Sequence, residues 1–295
     1  MGSEGKWESD FEWDPAAEDE LRAIEAAYAS SNKRTGSSPP DSEPRSKTRR
    51  LPKWNRHRAA ASSAADVSAL WALAPSPCRV NVGTSYQSMK FMGRIVYSKT
   101  ASEVEQATKE ILDKIKALKS FEQVSLGFDI EWKPVFRRGE PQRKAAVLQI
   151  CMDTANCYVM HIIHSGIPPI LKSLLEDSSS VKVGVCVAND AWKMRKDYGV
   201  GVESLMDLSS LANTKFGGPP KKWSLSSLTE KITCKELEKP SKIRMGNWEA
   251  DVLSKEKIQY AATDAFVSWY LYQALKGFPD VNIGSEDMEK VNTVS

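Results

Sequence analysis

The sequence predicts an α/β domain with a mixed central sheet, preceded by a disordered N-terminal extension. Three strand-like runs follow one another at 124–132, 145–151 and 157–162, separated by short polar segments. Helical and strand-like runs alternate after them, and a long helix closes the domain. Consecutive strands followed by alternating helices and strands are typical of a sheet that combines antiparallel and parallel pairs.

The domain is expected to cover residues 89–278, a length that suits one compact unit. Residues 1–88 are predicted to be disordered, since an acid-rich start is followed by stretches rich in Ser, Pro and Ala. Within them, residues 45–58 carry seven Lys or Arg and no acid, which is typical of a nuclear-import or phosphate-binding segment. Residues 279–295 are predicted to form a disordered tail.

Composition narrows the class of protein. The 295 residues carry a net charge of only +3, so any contact with nucleic acid must depend on local charge. No apolar run is long enough to cross a bilayer, and we expect a soluble intracellular protein without membrane contact. The five cysteines contain no C-x-x-C, which favours free thiols in a reducing compartment over a zinc site.

Local sequence features mark the ends of the predicted helices and strands. A strand is predicted at 91–97, and Ser102 opens a helix that runs to about residue 119. The β-branched run at 181–187 is typical of a buried strand, and Asn189 or Asp190 is expected to cap the next helix. The last helix begins after Ser254 and ends before Gly277. Shorter elements are a helix at 170–176, a strand at 202–206, a helix at 207–215 and a helix after residue 228.

Two carboxylates lie in the first of the three strand runs. Alternation places Phe128 and Ile130 on one face, and Asp129 and Glu131 on the other, about 6–7 Å apart. Beside apolar neighbours such a pair is unfavourable unless a positive charge lies between them, and a divalent cation with oxygen ligands is the obvious candidate. The alternative is an ordinary charged strand face exposed to water.

Two later segments add polar groups that are expected to converge on this pair. Asp190 follows a buried strand and begins a helix, where chemistry collects in α/β sheets, although a capping role would also explain it. Tyr260 and Asp264 lie at i and i+4 on one face of the last helix, among small residues that permit close packing on the sheet. The combined site could hold two divalent ions about 3.5–4 Å apart around a scissile phosphate.

With these motifs in place, residues 89–278 resemble the 3′-5′ exonuclease domain of the Werner syndrome protein, in the DEDDy group of RNase H-like exonucleases. The region is most similar to stand-alone plant members without a helicase. Cys186, where relatives often have glycine, and Ala188-Asn189 depart from the pattern. The matching segments are Phe128-Asp-Ile-Glu-Trp132, Val183 to Trp192 and Tyr260-Ala-Ala-Thr-Asp264, supported by Met92 to Tyr97, Lys222 to Leu225 and Arg244 to Trp248.

The resemblance implies a role for each of these polar residues. Asp129, Glu131 and Asp264 would bind the catalytic metal, and Asp129 would bridge to a second ion that Asp190 supports. Tyr260 would orient the attacking water. Two ions of Mg²⁺ or Mn²⁺ suit such an all-carboxylate site, whereas zinc is disfavoured because no Cys/His cluster has ligand spacing.

Several side chains are candidates for contact with nucleic acid. Trp132 and Trp192 flank catalytic acids and would stack on a terminal base, or else are ordinary packed aromatic residues. Loop cations would hold the backbone, or else are solvated charges. We interpret His161 and His164 as structural. The loop cations are Arg137, Arg138, Arg143, Lys144, Lys221 and Lys222.

The sequence therefore predicts a nuclear, metal-dependent 3′-5′ DNA exonuclease that releases nucleoside monophosphates. An RNA-processing exonuclease is the alternative, because contacts to the 2′-hydroxyl cannot be located in the sequence. A non-catalytic nucleic-acid-binding module is disfavoured, since all four carboxylates and Tyr260 are present. A helicase or DNA-end-binding protein acting in trans is the expected partner.

Overall fold

The computed structural model describes residues 86–118, 123–137 and 139–280. The predictions for the acidic start, the basic segment at 45–58 and the C-terminal tail fall outside these residues and remain predictions. Among the helices that the structure describes, none is both long and apolar enough to reach across a bilayer.

A six-stranded mixed sheet forms the centre of the fold, as predicted. Its order is β2-β5-β4-β3-β6-β7; β4 is antiparallel to both of its neighbours, and the other pairs are parallel. A separate two-residue parallel pair joins β1 to β8. The strands are β1 (Gln87–Ser88), β2 (Arg94–Ser98), β3 (Val124–Trp132), β4 (Ala145–Cys151), β5 (Asn156–Met160), β6 (Ser180–Gly184), β7 (Leu205–Asp207) and β8 (Lys235–Glu236).

Helices cover both faces of the sheet and divide the core into two layers. Helices α1, α3 and α4 bury apolar side chains against one face, while α5, α6 and the long α8 cover the other. The helices are α1 (Ala101–Leu118), α2 (Ile162–Ser165), α3 (Pro169–Glu176), α4 (Val187–Tyr198), α5 (Leu208–Phe216), α6 (Leu225–Thr233), α7 (Ser241–Arg244) and α8 (Lys255–Lys276).

The prediction that Asn189 or Asp190 caps the fourth helix is wrong. The predicted strand at 181–187 already ends at Gly184, and α4 begins at Val187 with Cys186 as its N-cap. The backbone of Cys186 has a φ of 57°, in the left-handed region that favours glycine. The tight turn therefore leaves Asp190 inside the first turn of the helix, where its carboxylate is not used as a cap.

The expectation of free thiols holds for part of the cysteines. Cys151 and Cys157 carry buried free thiols. Cys234 is disulfide-bonded, so the expectation is wrong for this residue. The error arose because an odd cysteine count without a C-x-x-C says nothing about a bond between distant cysteines.

A single glycine lets α8 lie close to the sheet. A Cβ atom at Gly127 would lie 2.0 Å from the carbonyl oxygen of Ala265 and 2.8 Å from Cβ of Trp269. On the helix side, the contact surface is built from Ala261, Ala262 and Ala265, which are all fully buried. These small residues permit the approach that carries α8 across β3, β4 and β5.

A buried histidine fastens the segment before α8. His161 has no solvent exposure; its Nε2 lies 2.9 Å from the carbonyl oxygen of Trp248, and its Nδ1 lies 2.6 Å from the hydroxyl of Tyr97. A carbonyl only accepts, so Nε2 donates; in the neutral ring, Nδ1 then accepts from the phenol. Burial lowers the pKa of His161 to about 4. The interpretation of His161 as structural agrees with these contacts, and His164 likewise lies 3.2 Å from the carbonyl oxygen of Ala250.

We expect Gly127→Ala to lower the free energy of unfolding by at least about 3 kcal/mol, because the new methyl group meets backbone that cannot move independently. Gly201→Ala is the control, since its added Cβ meets nothing closer than 3.4 Å. Urea denaturation would measure both variants. Equal stability of the two would contradict the close contact between α8 and β3.

We expect His161 to make the protein less stable as the pH falls. The unfolded ring titrates near 6.5 and the folded ring near 4, so between these values the unfolded chain binds more protons. Stability attributable to this group is complete above pH 6.5, and about 2 kcal/mol of it should be lost between pH 7 and pH 5.

Urea denaturation at both pH values would compare the wild type with His161→Gln, which cannot titrate. The variant should be less stable at pH 7, because it loses fitted hydrogen bonds, but should show a shallower decline toward pH 5. If the stability of both proteins fell equally between pH 7 and pH 5, the pH dependence would not come from His161.

Candidate active site

Three carboxylates meet where α8 crosses β3. Asp129 and Glu131 project from β3 toward the helix, and Asp264 projects from α8 toward the strand. One carboxylate oxygen from each of the three lies within 4.8 Å of the others. Phe128 and Ile130 point to the opposite face and are buried in the other core layer, as the alternation predicted. We call Asp129, Glu131 and Asp264 the acidic cluster.

Burial and mutual repulsion both act against charge on the acidic cluster. Desolvation, followed by the nearby charge of Asp264, raises the pKa of Asp129 to about 7. Glu131 is only 8% exposed, and burial followed by the charge of Asp129 raises its pKa well above the ordinary value. Both shifts are the response of carboxylates that lack enough positive charge beside them.

One of the two carboxylate oxygens of Asp264 is buried without a hydrogen-bond partner. The Nζ atom of Lys239 lies 3.3 Å from its Oδ2 atom, while its Oδ1 atom is buried without a hydrogen-bond partner. The charge of Lys239 also lowers the pKa values of Asp129 and Glu131, but burial and mutual repulsion raise them by more. A cluster of oxygen ligands with a buried, unpartnered oxygen fits a hard divalent cation such as Mg²⁺ or Mn²⁺.

Asp190 faces the acidic cluster from the start of α4. Burial is the main cause that raises its pKa, the charge of Asp129 adds to the effect, and Lys193 opposes it. Asp190 as a whole residue is half-buried, whereas Asp264 is fully buried. The structure therefore brings together all four carboxylates that the sequence analysis selected.

Tyr260 lies one turn before Asp264 on the same face of α8. Its side chain is 7% exposed, and burial, followed by the charge of Asp264, raises the pKa of the phenol. The ring packs against Trp248 with centroids 6.3 Å apart. His161 holds the backbone of Trp248 through the hydrogen bond to its carbonyl oxygen. The same buried histidine therefore also supports the position of the Tyr260 ring, which packs on Trp248.

The two tryptophans already have lysine partners. The Nζ atom of Lys193 lies 5.0 Å from the ring centroid of Trp132, and that of Lys196 lies 4.7 Å from the ring centroid of Trp192. Trp132 packs against the core layer opposite the acidic cluster. Trp192 is half-buried on α4, two residues after Asp190.

The connection between β3 and β4 forms one wall of a cleft of about 510 Å³. Lys193 fixes this connection to α4, donating to the carbonyl oxygen of Arg143 at 2.7 Å and pairing with Asp197 at 2.8 Å. Arg138 lies outside the described residues. The cleft is lined by Glu140, Pro141, Gln142, Arg143, Lys144, Ile163 and Glu249.

Lys222 is not brought to the acidic cluster. It is exposed in the segment between α5 and α6, and the adjacent Trp223 packs on Phe216, which in turn contacts Phe278 just beyond the end of α8. Along the helix, that end lies about 20 Å from Asp264. Any contact of Lys222 with a substrate would be remote from the carboxylates.

Sequence reasoning missed three polar residues of this site. Lys239 contacts Asp264, and Lys257 is close enough to Glu131 for that carboxylate to raise its pKa against the larger lowering by burial. Gln149 lies directly across from Asp129 in the β3–β4 pairing. Only Gln149 had a usable signal, because it is the one polar residue in the otherwise apolar strand Ala-Ala-Val-Leu-Gln-Ile-Cys.

Known proteins support the prediction of an exonuclease. The 3′-5′ exonuclease family matches residues 99–277. A 3′-5′ exonuclease of Arabidopsis thaliana is 49% identical over 211 residues, which are 71% of this chain and 72% of that relative. The mouse bifunctional 3′-5′ exonuclease/ATP-dependent helicase WRN is 35% identical over 65% of this chain and 13% of its own length.

A solved structure is similar in fold. The Nibbler EXO domain of Aedes aegypti superimposes with a TM-score of 0.51 and covers 63% of this chain and 90% of the solved chain. Its 17% identity supports the fold alone. Together with the sequence relatives, it confirms the predicted exonuclease fold and the resemblance.

We expect Asp129→Asn to stabilise the metal-free protein. The pKa of Asp129 is about 7 in the folded protein and near 3.9 in the unfolded chain. Between these pH values the folded protein therefore binds more protons than the unfolded chain. Wild-type stability therefore falls as the pH rises from 4 to 7, and the variant should be more stable at pH 8 by a few kcal/mol. The difference should vanish near pH 4.

Urea denaturation in EDTA at pH 4, 6 and 8 would measure this difference. Asp113→Asn is the matched control, because its carboxylate is 75% exposed on α1, and its effect should stay within about 0.5 kcal/mol. A destabilised Asp129→Asn protein at pH 8 would show that the carboxylate is compensated in the metal-free state.

Proposed function

We propose, from the premise that this chain belongs to the 3′-5′ exonuclease family, that it hydrolyses DNA from 3′ ends with two bound Mg²⁺ or Mn²⁺ ions. As a member of that family the chain is a nuclease, a phosphodiester hydrolase. The observation that carries the finer proposal is the acidic cluster, with three carboxylates within 4.8 Å and the buried Oδ1 atom of Asp264 unpartnered.

The acidic cluster would hold the ions. Asp129, Glu131 and Asp264 would bind one, and Asp129 and Asp190 would serve a second. When bound, such ions activate the attacking water and neutralise the charge that builds on the phosphate and on the leaving 3′ oxygen. The all-oxygen donor set favours Mg²⁺ or Mn²⁺ over softer metals.

Tyr260 would orient the attacking water. Its raised pKa keeps the phenol protonated at neutral pH, so it acts as a hydrogen-bonding group and not as a base. The packing on Trp248 holds the ring in place, one helical turn before Asp264. Orientation of this kind is worth about 10²-fold in rate.

The cleft beside the β3–β4 connection is proposed to receive the 3′ end. Its volume of about 510 Å³ is in the range of sites for nucleotide-sized ligands. Arg143 and Lys144 on one wall would contact phosphates, while Glu140 and Glu249 limit the net positive charge. Trp192 would stack on a terminal base, releasing Lys196 from its ring.

We also propose that the protein acts in DNA metabolism in the nucleus. The basic segment at 45–58 has the charge density of an import signal. A helicase or DNA-end-binding protein in trans would present the 3′ ends. Deletion of 45–58 from a fluorescently tagged chain should abolish nuclear accumulation in plant cells if this segment is the signal.

The direct test uses the full chain with 5′-labelled, 3′-recessed DNA in Mg²⁺, Mn²⁺ or EDTA. A ladder of products that requires metal is expected, and Asp129→Ala should abolish it. Tyr260→Phe should lower kcat about 10²-fold while KM changes little, because the hydroxyl orients water and does not bind DNA. Folding of each variant is checked by circular dichroism.

A matched RNA strand distinguishes the substrates. Faster degradation of RNA than of DNA would replace the DNA assignment with the RNA-processing alternative. Binding of DNA without degradation by well-folded protein would reject catalysis and leave the binding module. An undiminished rate for Tyr260→Phe would remove the proposed role of that hydroxyl.

A further inference from the structure

Gln149 is a buried amide without a hydrogen bond. The side chain has no solvent exposure, and neither its Nε2 nor its Oε1 atom has a partner. The rest of β4 is apolar and fully buried. A carboxamide in this situation destabilises the fold relative to an apolar residue of the same size, so a glutamine here is explained best by a partner that is present in the working state.

The register identifies that partner. Gln149 lies directly across from Asp129 on one side and Val159 on the other. Side chains of directly opposed residues project from the same face with Cβ atoms about 4.5–5.5 Å apart, so both Gln149 and Asp129 lie under α8. The flanking same-face residues of β4 are Val147 and Cys151, and the thiol of Cys151 already donates to the carbonyl oxygen of Asp153.

The carboxylates of the acidic cluster can accept hydrogen bonds from such a donor. A carboxylate that binds a cation through one oxygen leaves a second oxygen to be hydrogen-bonded, and such supporting donors orient the ligand. The Nε2 atom of glutamine offers two N–H groups. The structure thus holds a buried donor without an acceptor directly across the strand pair from a carboxylate that is crowded by others of its own sign.

We propose that Gln149 is a positioning residue of the metal centre. In the cation-loaded enzyme, its Nε2–H group would donate to a carboxylate oxygen of Asp129, at a lone pair that no ion uses, and would thereby fix the orientation of that carboxylate. This inference rests on the metal centre of the proposed function. It assigns to Gln149 no contact with the substrate.

The test is a Mn²⁺ titration of thermal stability with the full chain. In EDTA, Gln149→Met should be at least as stable as the wild type, because an apolar side chain of similar volume replaces an unpartnered amide. The variant should need about 10–100-fold more Mn²⁺ to reach half of the maximal rise in Tm. At saturating Mn²⁺, most of the nuclease rate should return.

Ser180→Ala is the matched control. The hydroxyl of Ser180 is also fully buried and unpartnered, but it lies opposite Val124 at the far end of β3 from the carboxylates. Its removal should leave the Mn²⁺ dependence of Tm unchanged. The contrast separates the loss of a buried polar group from the loss of a support for the metal centre.

The outcomes are distinguishable. If Mn²⁺ does not raise the Tm of the wild type, the metal centre itself is wrong. If the wild type responds and Gln149→Met responds at the same Mn²⁺ concentration, Gln149 only fills space and the inference fails. Should Gln149→Met not fold, Gln149→Asn takes its place; its amide is one methylene shorter, and an unchanged Mn²⁺ dependence there would also overturn the inference.

Discussion

The close contact between the last helix and strand β3 is the constraint on which the site depends. It requires the absence of a side chain at Gly127 and small residues along α8, and it brings Asp264 to Asp129 and Glu131. A larger separation would leave the carboxylates in water, where they would neither repel strongly nor hold an ion in fixed geometry. Packing and chemistry are therefore set by the same few atoms.

The acidic cluster opposes folding while it provides the ligands. Burial and like charge raise the pKa values of Asp129, Glu131 and Asp190, and Lys239 compensates only in part. The rest of the fold must offset this unfavourable free energy, through two core layers and through hydrogen-bonded residues such as the neutral His161. A destabilised centre held by a stable frame is the usual relation between function and stability in enzymes.

The sequence predicted most of what has local periodicity. The bounds of β3 and β4 and the span of α8 follow from alternation, helical spacing and the Ser254 cap. The two-residue β1–β8 pair joins segments far apart in the chain, and neither this pair nor the disulfide bond of Cys234 had a local signal. Asn189 or Asp190 was expected to cap α4 because the turn at Cys186, with its positive φ, was not recognised.

The site itself was predicted only in its acids and Tyr260. Their convergence could be argued from strand ends and helix faces, whereas Lys239 comes from a loop whose path depends on tertiary packing. Lys222 lies on a loop remote from the acidic cluster, and charge in a loop does not reveal which end of a helix the loop approaches. Gln149 required the register of two strands, which alternation alone does not give.

Asp129 comes from the middle of the chain, and Asp264 comes from its last described helix. During synthesis, the ribosome still covers or has not yet made α8 when β3 has already emerged. A nascent chain, or one cut short before α8, can assemble part of the sheet but lacks a complete set of ligands. The order of the chain thus delays the complete acidic cluster until α8 has been made.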